Sequence, residues 1–325
     1  DSSLSTKEII WNQYDHMITR NVLSEMGGNA SIIKTNFKNQ AIATTTDCNI
    51  YYCEIDPYLG SIQAIAESYR NLISVGAKPL AITNCLNFGN PEKKEIMGQF
   101  VQTIRGMQVA SKKLSLPIIS GNVSFYNETN DKSIPPTPQI GAVGVIDDYR
   151  KTVSNSSFSN EDILYVLGET KGHLSSSAYE RTMFDFDKTK IYSETPKTNL
   201  DDEIKVSKII LNLIKKSLIT ACHDVSDGGL LVSILEMCLA KNIGFNFLNL
   251  PKKHKILFGE DQSRYLIAVN KSDMDSVEKI LIDSNIYFKS YGTFTNKNHV
   301  LNFPDKSSIK LDYIKSARKL WESKV

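Results

Sequence analysis

The sequence lacks most of the features that sort an unfamiliar chain quickly. Its 325 residues hold only five cysteines, Cys48, Cys53, Cys85, Cys222 and Cys238. The number is odd and no C-x-x-C pair occurs, so neither a disulfide framework nor a zinc site is indicated, and buried thiols in a reducing compartment are expected. No apolar run approaches the roughly 18 residues that a membrane span needs. The stretch DSSLSTKEIIWNQYDHM lacks the basic start, apolar core and small-residue cleavage site of a signal peptide. The expected setting is therefore the cytoplasm. An excess of one charge is missing too: 38 basic residues face 36 acidic ones, which speaks against a nucleic-acid or membrane surface. P-loop, nucleophile-elbow and G-x-G-x-x-G patterns are absent, so the familiar nucleotide folds find no support. The first residue is Asp rather than Met, as in a processed product, a trimmed chain or part of a longer one.

What is present is enough apolar material for two cores, 41% of the chain. Length and composition suggest two domains, residues 1–150 and 151–325, divided at the polar, Ser/Asn-rich stretch 151–161. Helical spacing marks residues 6–19, 62–75, 95–114, 203–217, 230–240 and 272–283, and short β-like runs cover 30–34, 40–46, 79–83, 117–120, 139–146, 163–167, 265–269, 287–293 and 309–313. The run after Pro251, with three lysines and a histidine, reads as a solvated turn.

In the first half the order is strand, polar loop, helix, repeated, with polar clusters 45–49, 84–91 and 121–129 following strands. Polar residues at strand ends are typical site positions in α/β proteins. The triplets beginning at Asn122 and Asn127 are formal glycan acceptors, a reading weakened by the missing signal peptide. Amide oxygens, hydroxyls and one carboxylate from Asp47, Asn49, Asn84, Asn87, Asn122 and Ser124 suit magnesium that shares phosphate oxygens, and Gly121 would let a phosphate approach the backbone. The same Asn and Gly residues also serve as turn formers. His223 and Asp224, with Asp227-Gly228-Gly229, are either acid–base machinery or helix capping. The acidic stretch at 260–262 reads as a polar-group binder or a surface turn.

Taken together, the strings TTDCN (45–49), LNFGNPEKKEIMGQF (86–100), SGNVSFYNET (120–129), PTPQIGAVGVIDD (136–148), LGETKGHL (167–174), HDVSDGGL (223–230) and FGEDQSRY (258–265) resemble the C-terminal half of phosphoribosylformylglycinamidine synthase. The resemblance implies an α/β (α+β) fold in two parts, each PurM-like. The N-terminal domain would form a sheet that pairs with a homologous domain, and the C-terminal α/β domain would pack on it. It implies a ligase of purine biosynthesis that uses ATP and Mg2+ to convert formylglycinamide ribonucleotide to its amidine. The partners implied are an N-terminal synthetase half, a glutaminase subunit or domain supplying ammonia and, in some arrangements, a small bridging subunit.

The resemblance also distributes roles. Asn84 and Gly121 match ATP contacts, Asn122 a metal ligand and Ser124 a substrate contact, although the family more usually carries Asp where Asn84 stands. Asp47, Asp224, Glu260, Gln262 and Ser263 would line a second, auxiliary cleft, which in some members holds a nucleotide. No catalytic residue is implied here: the family's Lys-x-Glu-Ser-His-Asn-His motif is replaced by Thr44-Thr45-Thr46-Asp47-Cys48-Asn49. Half an enzyme, inactive alone, is thus the main expectation. The alternatives are a homodimeric synthetase or kinase of the same superfamily using His223 and Asp224, and a non-catalytic nucleotide-binding scaffold.

Overall fold

A computed structural model describes residues 1–14, 20–24, 26–248, 250–251 and 253–319. The elements of the first part are α1 (Glu8–Trp11), β1 (Ser31–Lys34), β2 (Ala41–Asp47), α2 (Ile50–Ile55), α3 (Pro57–Ser74), β3 (Lys78–Asn87), α4 (Lys94–Leu114), β4 (Ile118–Ser124), the short β5 (Glu128–Thr129) and β6 (Lys132–Ser133), and β7 (Thr137–Ile146). The second part holds β8 (Ile163–Leu167), α5 (Ala178–Met183), α6 (Phe186–Thr189), α7 (Leu200–Lys215), β9 (Ala221–Asp224), α8 (Gly229–Lys241), β10 (Gly244–Phe247), α9 (His254–Phe258), β11 (Tyr265–Val269), α10 (Met274–Asp283), β12 (Phe288–Thr295), β13 (Val300–Asn302), β14 (Ser308–Lys310) and α11 (Leu311–Lys319).

Two mixed sheets organise the chain, as the two-part α/β expectation required. The first has the order β1-β2-β7-β3-β4 and the second β14-β13-β10-β12-β8-β11-β9. In the first sheet only β3 and β4 run parallel, joined by α4, and β4 forms an edge. Strand alternation assigns the faces. Ala41, Ala43, Ile140, Ala142 and Ile82 turn inward onto α3 and are buried. The opposite face, with Ile33 paired to Ile42 and Thr44 to Val143, stays open, and Ile42 is 38% exposed.

Local chemistry explains the helix starts. The Asn49 side chain accepts from the amides of Tyr51 and Tyr52 at 3.1 Å and caps α2. Asp56 caps α3, and Pro57 stands at its first position, where a missing N–H costs nothing. Several sequence expectations need correction. The helix expected at 6–19 is described only as Glu8–Trp11, and residues 15–19 lie outside the described residues. The strand expected at 309–313 is Ser308–Lys310 followed directly by α11. The basic run after Pro251 does not remain a turn, because α9 begins at His254.

Helices α3 and α7 join the two parts. Ile73 of α3 packs in the same core as Ile210, Leu213 and Ile214 of α7, whereas Leu200, at the start of α7, belongs to the core of the first sheet. Gly76 ends α3 with φ +84° and lets Ile214 pass close by; a Cβ there would stand 3.0 Å from it. Inside this junction Arg70 of α3 is fully buried. It donates to Glu203 of α7 and, at 2.8 Å, to the Gln262 side-chain oxygen. Removing one partner of a buried pair strands the other, at a cost of about 3–5 kcal/mol, whereas replacing both with apolar groups is often neutral. Urea denaturation should therefore find Arg70→Ala destabilised by about that amount, with the Arg70→Met/Glu203→Leu pair recovering most of the loss. Equal losses in the two variants would contradict this reading.

Candidate functional site

The first candidate region lies on the edge of the first sheet. Polar residues 84–87 and 121–124, expected in loops, are instead the continuation of strands β3 and β4. Parallel pairing sets Asn84 beside Gly121, Cys85 beside Asn122 and Asn87 beside Ser124. Period-2 alternation then divides the four expected ligand residues between two faces. Asn84 and Gly121 share the helix-covered side with the buried Ile140, while Asn122 and Ser124 share the open side with Cys85.

Asn84 and Gly121 fit each other closely. A Cβ on Gly121 would sit 2.3 Å from the Asn84 Oδ1, so only glycine leaves this amide oxygen in place. Asn127 orders the end of β4: its Nδ2 donates to the carbonyls of Phe88 and Ser124, both at 3.0 Å, and the Ser124 hydroxyl lies 3.4 Å from its Oδ1. Glu128 anchors the loop that follows β3. It accepts from the Ser133 hydroxyl at 2.7 Å, from Lys93 at 2.9 Å and from the Asn90 amide at 3.0 Å. These bonds, Ser133 foremost, hold its carboxyl down at about 2.

The second region is a buried acidic junction between the two parts. Asp47, at the end of β2, accepts from Asn71 at 2.8 Å and Thr45 at 3.0 Å. Glu260 accepts from the Tyr52 hydroxyl and from the amides of Gly228, at 2.7 Å, and Ala178, at 2.8 Å. Asn49 donates to Asp227 at 2.8 Å. Burial pushes Asp47 up to about 6, with Asp224 adding to it, and Glu260 up to about 7, with Asp227 adding to it. Glu67 rises well above its usual range by burial and then through Asp47 and Asp224. Arg70 and Glu203 respond differently to their shared bond. Burial opposes the Arg70 charge, but Glu203, Glu67 and Asp224 outweigh it, whereas for Glu203 burial outweighs the guanidinium and the carboxyl moves up.

Of the residues assigned to an auxiliary cleft, Asp47, Asp224, Glu260 and Gln262 do meet here. Ser263 lies at the margin: its hydroxyl donates to the Asn199 carbonyl at 3.3 Å and also acts on Glu203, lowering its carboxyl against the burial that raises it. It lines a separate cavity of about 650 Å³ together with Gly168, Gly172, His173 and Tyr287, to whose wall Gln262 also contributes. His223 has both ring nitrogens engaged. Nδ1 lies 2.6 Å from the Asn29 side-chain oxygen and Nε2 lies 3.4 Å from Glu236. Although burial works against its charge, Glu236 and Asp224 raise His223 above its usual value, an arrangement for a held imidazolium rather than for a free base.

Sequence reasoning missed Glu67, Arg70 and Glu203. The available signal was that Glu67 and Arg70 are the only charged residues of α3, a helix otherwise composed to be buried. As to magnesium, a lone amide oxygen at Asn122 suits an ion carried mainly by nucleotide phosphates. In the acidic junction the Asp224 Oδ2 is buried without a hydrogen-bond partner, which a cation would satisfy. Among the described residues no group of three or more His, Cys, Asp or Glu is arranged to hold a metal by itself, and no helix is long and apolar enough to cross a membrane.

The raised carboxyls set a direction for pH. Asp47 and Glu260 keep protons in the folded state that the unfolded chain, at 3.8 and 4.5, has released. Stability is greatest below those unfolded values and is lost as pH rises toward about 6 and about 7. One such group costs ~3 kcal/mol. Thermal unfolding should therefore show a higher midpoint at mildly acidic than at mildly alkaline pH, and Asp47→Asn should flatten the difference. A midpoint that climbs with pH would refute the assignment.

Comparison with known proteins gives a consistent picture. Residues 27–146 match the family described as AIR synthase related protein, N-terminal domain, and residues 159–301 match its C-terminal domain. The phosphoribosylformylglycinamidine synthase subunit PurL of Pelagibacter ubique is 39% identical over 98% of this chain and 43% of its own length. The same subunit from Azorhizobium caulinodans is 45% identical over 82% of this chain and 36% of its own length. The chain thus spans less than half the length of these curated relatives. Among solved structures, Thermotoga maritima PurL complexed with FGAR superposes with a TM-score of 0.73 at 15% identity, over 92% of this chain and 49% of that one.

Proposed function

We propose, from the premise that the chain belongs to the AIR synthase related family, that it is one half of a phosphoribosylformylglycinamidine synthase. In this reading it supplies one wall of an active site whose catalytic histidine comes from another half. The observation that carries the reading is the Asn84–Gly121 pair, a side-chain amide in close contact with a glycine on the edge of a sheet. The same edge carries the expected metal and substrate residues, Asn122 and Ser124. The end of β2, 44–49, which lies on the other side of β7 from this edge, brings no lysine or histidine for proton transfer.

In this reading ATP phosphorylates the amide oxygen of formylglycinamide ribonucleotide, and ammonia, drawn from glutamine by a partner, displaces the phosphate. Asn84 contributes an amide oxygen and donor without charge. Gly121 allows the backbone to come close to the nucleotide, because no side chain intervenes. Ser124, ordered by Asn127, contacts the ribonucleotide. Asn122 would hold magnesium, which supplies neutralisation of phosphate charge when bound. The acidic junction would act as a second, structural site whose surplus of carboxylates suits a cation-bearing ligand. The setting proposed is the cytoplasm.

The test is reconstitution with ammonium as nitrogen donor. The chain alone should release no phosphate above background, and adding a histidine-bearing half from a relative should restore turnover. Full activity of the isolated chain would end the proposal. In the reconstituted pair Ser124→Ala should lower kcat/KM for the ribonucleotide roughly 10- to 100-fold, the worth of a lost hydrogen bond to a bound polar group. Gly121→Ala forces the Asn84 amide aside, and calorimetry should find ATP affinity reduced about tenfold with little change in urea midpoint. Unchanged affinity would remove Asn84 and Gly121 from the nucleotide contact.

A further inference from the structure

Cys48 and Cys53 flank the start of α2. Asn49 is the N-cap residue, so Cys48 occupies the position just before the cap and Cys53 the fourth helical position. In a helix entry these two side chains turn toward each other and pack, the arrangement of a hydrophobic staple. Cys48, beside it across the helix entry, and burial together hold the Cys53 thiol well above its usual value, so Cys53 stays protonated until its neighbour is oxidised. Cys53 is fully buried, whereas Cys48 is partly exposed. One thiol of the pair is therefore open to a small oxidant, and the other, packed against Gly60, is shielded from solvent.

The geometry points to Cys48 and Cys53 as a dithiol that closes to an intramolecular disulfide under hydroperoxide. The Cys48 thiolate attacks the peroxide, breaking the O–O bond to give a sulfenic acid and hydroxide. The Cys53 sulfur then attacks the Cys48 sulfur, forming the S–S bond and expelling the sulfenic oxygen as water. Overall two thiols are oxidised, one peroxide is reduced and two waters leave. The bond pins the turn between β2 and α2, which carries Asp47 on one side and Asn49, the partner of Asp227, on the other. The oxidation state of the pair thereby acts on the acidic junction.

Residues 39–70 contain both cysteines and no internal lysine or arginine, so trypsin releases them in one peptide. The chain, carrying Cys85→Ser to remove the exposed thiol, would be treated with hydrogen peroxide, alkylated and digested. The expected peptide is unalkylated at both positions, lighter by two hydrogens than the dithiol and restored by dithiothreitol. The unfolding midpoint should move with peroxide in this protein and stay fixed in the Cys48→Ser version of it, which changes only a partly exposed side chain. A peptide with Cys48 advanced to sulfinic acid while Cys53 remains alkylatable would overturn the proposal. Disulfides between separate chains, or no oxidation at all, would overturn it equally.

Discussion

Arg70 holds the molecule together in a specific sense. A fully buried guanidinium on α3 has five N–H donors to satisfy, and its two terminal nitrogens draw partners from two distant stretches, Glu203 and Gln262, while Nε has none. Both lie beyond the first sheet, so the requirement to pair one charge fixes how the helix layer of the first part meets the second. Buried ion pairs are rarely net stabilising relative to apolar packing, because desolvation offsets most of the attraction. Their stronger effect is to penalise any arrangement that separates them. Around Arg70 that penalty acts beside apolar contacts such as Ile73 with Ile214, which stabilise without directional preference.

The same junction carries more acid than one guanidinium can neutralise. Asp47, Glu67, Asp224, Asp227 and Glu260 lie near one another, and most are raised by burial and by each other. A core built only for stability would not assemble such a group. Conflicts between local chemistry and fold stability are expected where a site has been retained. Under the proposed function, the surplus charge is the mark of a ligand that brings cations with it.

Much of this was legible in the sequence where one physical requirement acted alone. Strand β8 and strand β11 were read to the residue because short runs of buried apolar residues between turn formers have few alternatives. The ends of β3 and β4 were misread because Asn84, Asn87, Asn122 and Ser124 have low strand propensity, and cross-strand pairing overrides propensity here. Glu67 and Arg70 escaped notice because a charged residue on a helix is normally solvated. Only the second sheet and α7, packed from beyond, bury this face. Asp47, Asp224, Glu260 and Gln262 were grouped through resemblance rather than spacing, since between 177 and 215 positions separate the first from the others. Ser263 stands at the margin of this group: its left-handed backbone, φ +63°, turns its hydroxyl toward the Asn199 carbonyl, beside Glu203.

Under the proposed function, the edge strand β4 is where the remainder of the site would be added. Its residues 118–123 are exposed throughout, and Ile119 is 69% exposed. Unpaired edges are usually shielded by charge, proline or a covering element, because open backbone groups recruit other strands. Here the edge carries glycine, asparagine and serine, residues that protect little but permit close approach of a polar ligand. The open sheet face beside it carries Ile33, Ile42 and Val143 on the side that Asn122 and Ser124 share. An apolar face and a polar, unprotected edge have the same economy when a second domain covers the one and a ligand lies against the other. The split of the expected ligand residues between two faces then follows from geometry. A strand edge can offer the backbone of Gly121 and the side chains of both faces to a molecule that wraps it, which a loop closed by its own chain could not.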